Sequence, residues 1–142
     1  MLQIWGRPTS LCTQRVLWAL EEFNIPHGLT LASGTMGASG HISKGNQPLG
    51  VVDTPAYLAM NPNGRVPVVI DDGFVMWESC SIIRYLARKS KSDLYPSDFA
   101  ERQTVERWMD WELSLLAPRH VPVFVGMVRT KPEDRNPDAI AN

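Results

Sequence analysis

Apolar and polar positions alternate between two periods along the chain. Residues 2–5 suit a short strand, which Gly6, Arg7 and Pro8 break with a turn signal. Val16, Leu17, Leu20 and Phe23 then recur at helical spacing, with Gln14, Arg15, Glu21 and Glu22 on the other side, until Asn24 and Pro26 end the run. Residues 28–32 suit a second strand. Five of the ten glycines, Gly34, Gly37, Gly40, Gly45 and Gly50, follow in one stretch that reads as a loop. Residues 54–60 form a short helix stopped by Asn61-Pro62-Asn63-Gly64. The β-rich run 66–70 meets residues 74–77 across Asp71-Asp72-Gly73, which predicts an antiparallel hairpin. Helical spacing returns over residues 79–89 through Ile82, Ile83, Leu86 and Ala87. The order is β, α, β, α, β, β, α. With the first two strands parallel across the first helix and the hairpin added, it makes an α/β domain with a small mixed sheet covered by helices.

Residues 91–98 are polar and contain Pro96, which places a linker between a domain of residues 1–90 and a second of residues 99–142. Residues 99–116 predict one long helix, with Val105, Met109, Leu113 and Leu116 on a stripe that Trp108, Trp111 and Leu115 widen. So broad an apolar face needs other helices. Pro118, Pro122 and residues 129–137 supply little cover, and residues 138–142 look like the opening turn of a further helix. The second domain is therefore expected to be partial.

The whole chain has 142 residues, 44% of them apolar and 20% charged, with a formal net charge of -1. These are values of an ordinary soluble globular protein. Fourteen Lys and Arg against fifteen Asp and Glu leave no basic field for a phosphate backbone, which sets nucleic acid aside as a partner. No stretch has the apolar length of a membrane span, and the N-terminus lacks the pattern of a signal peptide. Cys12 and Cys80, with His27, His41 and His120, show no zinc-ligand spacing. The expectation is a cytoplasmic protein with reduced thiols and no metal.

Four features carry chemistry: the Thr9-Ser10 hydroxyl pair after the first strand, the run from Asn61 through Arg65, Val66 and Pro67, the Glu78-Ser79 pair opening the third helix, and the later helical segment. Taken singly, each has a plain structural reading. Ser10 caps the first helix, Pro67 starts an edge strand after an ordinary trans bond, and Glu78-Ser79 caps the third helix, although Ile82 stands where a capping box needs Glu or Gln.

In this order the four features resemble the glutathione S-transferase family, in its bacterial-type, serine-using form. The resemblance covers residues 2–89 as a thioredoxin-like, glutathione-binding domain and residues 95–142 as the start of the all-helical domain. It implies a transferase that binds glutathione as co-substrate, lowers its thiol pKa, and passes the thiolate to a small electrophile in detoxification. By resemblance Ser10 hydrogen-bonds the thiolate, with Thr9 as runner-up. A cis Val66-Pro67 bond turns the Val66 backbone toward the cysteinyl unit, while Glu78 and Ser79 receive the γ-glutamyl end. Arg65 ranks ahead of His41 and Lys44 for the glycine carboxylate.

Some relatives use a cysteine and exchange disulfides, but Cys12 falls two positions too late for that alignment and reads as buried and inert. Cys80 reads as packing. Residues 32–53 lack the Gly-Lys-Ser or Gly-Lys-Thr of a P-loop and read as a flap over the site or a surface insertion. Trp108 and Trp111 read first as core and second as a pocket for the electrophile. The resemblance and the uncovered stripe both imply a homodimer. Two alternatives stand beside transfer: a truncated, non-catalytic glutathione-binding or protein-interaction module, and glutathione-dependent thiol-disulfide exchange through Cys12.

Overall fold

The computed structural model describes residues 1–33 and 51–138. The chain divides into two compact units, Met1–Tyr95 and Pro96–Asn142.

In the first unit β1 (Leu2–Gly6), α1 (Leu11–Glu22), β2 (His27–Leu31), α2 (Pro55–Met60), β3 (Val68–Asp71), β4 (Phe74–Trp77) and α3 (Ser79–Ser90) follow in that order. The sheet runs β2-β1-β3-β4, with β1 parallel to β2 and the other pairs antiparallel. Its architecture is thioredoxin-like. Strand alternation sorts the side chains onto two faces. Ile4, Val69 and Met76 stand side by side in register and pack with Val16 and Leu20 of α1 and Ile82 and Leu86 of α3. Across the sheet, Val68 gathers with Ala32, Val52 and Tyr57 of α2, with Trp5 and Ile70 packed against them. Helices α1 and α3 thus cover one face, and α2 the other.

Turn chemistry sets the boundaries. Asp72 and Gly73, at φ 49° and 86°, close the two-residue turn joining the Asp71–Phe74 pair, the left-handed geometry that matches strand twist. Ser10 caps α1, so that helix starts five residues ahead of its first periodic apolar residue, Val16. Strand β3 begins at Val68, two residues later than its apolar run suggests, because Val66 and Pro67 precede the first paired position.

The second unit opens with α4 (Phe99–Trp111), capped by Asp98, whose Oδ1 accepts from the backbone N–H groups of Ala100 and Glu101 at 2.9 and 3.0 Å. The helix does not stop at Leu116. A π-helical turn, Glu112–Leu116, leads into α5 (Ala117–Phe124) and a second π-helical turn, Val125–Arg129. A proline lacks the donor of an α-helical bond and crowds the carbonyl four residues back. The ladder widens just before Pro118, where Ala117 donates to the Glu112 carbonyl, and again at the end of the run, where Thr130 donates to the Val125 carbonyl at 2.9 Å; Pro122 lies inside α5.

The expectation that Trp108 and Trp111 are core is also corrected. They pack edge to face, ring centroids 5.5 Å apart, yet are 59% and 40% exposed. A single helical run has no inside, and an apolar stripe is buried only when a further element lies over it.

Candidate functional site

Trp5, Val68 and Trp77 lie in one row across β1, β3 and β4. That register brings three segments to one end of the sheet: the turn after Gly6, the residues before Val68, and the start of α3 after Trp77. The candidates Ser10, Val66-Pro67 and Glu78-Ser79 sit on these three segments. Helices α1 and α3 both begin there, so both positive dipole ends face the same region.

Ser10 has extended backbone geometry at the N-cap of α1, and its Oγ accepts from the Thr13 N–H at 3.5 Å, a long bond. Among the described residues its hydroxyl proton is donated to nothing. The turn beneath it is tied by Ser10 N–H to the Arg7 carbonyl at 3.0 Å and by Gln14 Nε2 to the Pro8 carbonyl at 2.7 Å. Thr9 is exposed. Cys12 is half-buried rather than buried as expected: it shares the face of Val16 and Leu20 at i, i+4 and i+8, but lies in the first turn, at the helix end, where cover is incomplete. Cys80 is the buried thiol, and Arg15 Nη1 donates to its sulfur at 3.1 Å.

Before β3, the Val66-Pro67 peptide bond is cis. The Arg65 side chain is exposed while its carbonyl is held from two sides, by Tyr57 Oη at 2.9 Å and Asn61 Nδ2 at 2.8 Å. Asn61 also accepts at Oδ1 from the N–H and Nδ2 of Asn63, both at 3.0 Å, closing the turn that Gly64 completes at φ 58°. Burial pushes the Tyr57 phenol up to about 12, so it stays a donor throughout the neutral range. Tyr57 and Asn61 hold the approach to Val66, yet neither carries a sequence signal for this. The Asn-Pro-Asn-Gly run marks a turn but not what the asparagine binds.

Glu78 stands at φ 76°, ψ 124°, a region L-residues rarely adopt. Such a conformation costs of order 1–3 kcal/mol and persists where surrounding contacts over-determine it. Its own carboxylate supplies two of these: Oε2 accepts from the Cys80 N–H at 3.0 Å and Oε1 from the Ser79 hydroxyl at 2.9 Å. The capping role thus belongs to Glu78, and buried Ser79 opens α3 with a backbone N–H that helix geometry leaves without an intrahelical partner. His41 and Lys44, and most of the glycine-rich stretch, lie outside the described residues.

A family model for the glutathione S-transferase N-terminal domain matches residues 9–89. Glutathione S-transferase GstB of Escherichia coli K12 is 36% identical over 143 residues, an alignment covering 99% of this chain and 62% of that protein. Glutathione S-transferase 3 of Schizosaccharomyces pombe is 31% identical over 106 residues, covering 73% of this chain and 38% of the relative. Among solved structures, the theta class glutathione S-transferase of Xanthomonas axonopodis pv. citri with glutathione bound superposes with a TM-score of 0.86 at 39% identity, covering 99% of this chain and 61% of that one. The chain spans about three-fifths of the length of these bacterial relatives. With the N-terminal domain matched across more than half its residues, the chain belongs to the glutathione S-transferase family.

Proposed function

We propose that the first unit binds glutathione, and that Ser10 donates a hydrogen bond to its sulfur, for transfer of the tripeptide to a small electrophile. The observation that carries this reading is the Ser10 hydroxyl: its oxygen is held by Thr13 while its proton is uncommitted among the described residues, at the positive end of α1. A donor there stabilises a thiolate more than a thiol and so lowers the thiol pKa, which raises the nucleophile's concentration at neutral pH. The thiolate, its proton lost to solvent, uses a sulfur lone pair to form a C–S bond, while the pair of the bond broken in the electrophile leaves with the leaving group or, in an addition, moves onto the electrophile's acceptor atom. Ser10 keeps its own proton throughout.

Glu78 has further acceptor capacity for the γ-glutamyl ammonium, and the Ser79 N–H at the start of α3 suits the carboxylate beside it. The Val66 backbone, ahead of the paired part of β3, is in place to bond an extended peptide as a neighbouring strand would. Arg65, its side chain exposed, serves the glycine carboxylate. A theta class neighbour with glutathione bound supports the ligand assignment. Trp108 and Trp111 offer apolar surface to an electrophile, and a second copy of the chain is the proposed partner. The two free thiols fit a reducing compartment such as the cytoplasm.

Calorimetric titration of glutathione, with the thiolate followed by its ultraviolet absorbance against pH, tests the reading. Ser10→Ala is expected to retain binding within a few-fold, raise the bound thiol's pKa by about one unit, and slow conjugation about tenfold at neutral pH. An unchanged thiol pKa removes Ser10 from this role.

A further inference from the structure

The two halves of the proposed site lie on different helices: Ser10 at the start of α1, Glu78 and Ser79 at the start of α3. A side-chain hydrogen bond joins those helix starts across 65 residues of sequence, Arg15 Nη1 to Cys80 Sγ at 3.1 Å. Arg15 lies in the second turn of α1, and Cys80 is the second residue of α3, immediately after Ser79. The same Cys80 donates its backbone N–H to Glu78 Oε2 at 3.0 Å. A chain of contacts therefore runs from the α1 guanidinium, through Cys80, to the carboxylate of the residue at φ 76°.

We propose that Arg15 is a positioning residue for the γ-glutamyl end of glutathione, holding the first turn of α3 in register with α1 through the Cys80 sulfur. The inference rests on reading this end of the sheet as a glutathione site. A strained backbone keeps its conformation only where its surroundings over-determine it, and Glu78 owes one of its two carboxylate anchors to the position of Cys80. Releasing the sulfur from Arg15 frees that turn to relax, so Glu78 and Ser79 no longer present their ligand groups together. Arg15 acts through α3 and not on the thiolate. Its loss should accordingly weaken any ligand with the γ-glutamyl moiety, whether or not the ligand has a thiol to ionise.

Glutathione and S-methylglutathione, which has no ionisable thiol, are titrated into the full chain and into Arg15→Gln, Arg15→Lys, Cys80→Ala and the Gln/Ala double variant. Arg15→Gln and Cys80→Ala are each expected to weaken both probes by about fivefold to tenfold, the scale of one ordinary hydrogen bond. The double variant should bind no more weakly than Arg15→Gln, because both changes break one contact, and Arg15→Lys should recover part of the loss. A role confined to stability would lower the melting temperature, leave both dissociation constants unchanged and overturn the proposal. A loss seen with glutathione alone would place Arg15 on the thiolate and overturn it too. Should Arg15→Gln fail to fold, Cys80→Ala decides by itself, an unchanged affinity being the refuting result. Absence of glutathione binding by the unaltered chain would overturn the site reading itself, an outcome distinct from binding that the variants leave intact.

Discussion

Gly6 ends β1 against the first turn of α1, and a methyl group there should not fit. A Cβ on Gly6 would lie 2.7 Å from both Cγ2 and Oγ1 of Thr13, closer than such atoms approach in folded proteins. Thr13 is 0% exposed and cannot swing into solvent. Rotation about its χ1 gives no relief, because two of three staggered positions are always filled and only one of the two clashing positions can be vacated at a time. Gly6→Ala is therefore expected to cost about 0.5–2.5 kcal/mol, an overpacking penalty of about 1–3 kcal/mol less about 0.5 kcal/mol gained by stiffening the unfolded chain.

Thr13→Ala removes both clashing atoms. By itself it loses about one buried methyl, roughly 0.8 kcal/mol, but also removes a buried hydroxyl that has no partner among the described residues, a gain of similar size. It should be close to neutral. With both substitutions present, the overpacking should disappear, a coupling of about 1–3 kcal/mol in a double-mutant cycle. Urea unfolding followed by circular dichroism, with m-values compared across the four chains, measures it. Since the Thr13 N–H donates to Ser10 Oγ, the pKa of the bound glutathione thiol should rise in Gly6→Ala and return in the double variant. Additivity within about 0.5 kcal/mol would refute the steric argument.

Further expectations follow from other buried polar groups. The side chain of Asn61, a residue 3% exposed, makes three hydrogen bonds, so Asn61→Ala should destabilise the chain by about 2–3 kcal/mol in the same unfolding assay and weaken glutathione binding by loosening the approach to Val66. Asp71 accepts from Lys89 Nζ and from Tyr85 Oη, and the Lys89 hydrogen bond, ahead of the Tyr85 one, holds its carboxyl below the usual carboxylate range although burial opposes this. A depressed folded pKa means this stabilisation is complete above the unfolded value of about 3.9 and is lost as pH falls through the folded value. The same contact raises Lys89, whose contribution is complete below about 10.4 and lost as pH rises through its folded value. Asp71→Asn should flatten both limbs in melting temperatures taken from pH 2 to 11; a variant keeping the native profile would show that other groups set it.

Short-range chemistry made much of the first unit readable from its residues. The Asp71-Asp72-Gly73 turn, the Asn61–Gly64 stop and the spacing of Ile82, Leu86 and Ala87 act over a few residues, and the strands and helices they bound stand within two residues of expectation where the run was short. The order of Ser10, Val66-Pro67 and Glu78-Ser79 was likewise plain in the chain, because family motifs keep their spacing even when each residue has a structural role of its own. What those residues touch was not. Glu78 caps α3 from a left-handed backbone, Tyr57 and Asn61 converge on the Arg65 carbonyl, and Arg15 reaches Cys80 across 65 residues; each is a contact between elements, set only once the sheet register brings three segments to one end. Cys80 is buried as expected, whereas Cys12 is only half-buried, since exposure depends on which neighbour covers a helix turn. In the second unit the helix expected to end at Leu116 runs on through Pro118 and Pro122, with the ladder widened into a π-helical turn just ahead of Pro118. Local preferences thus decided which elements form, and the packing of those elements decided which side chains meet.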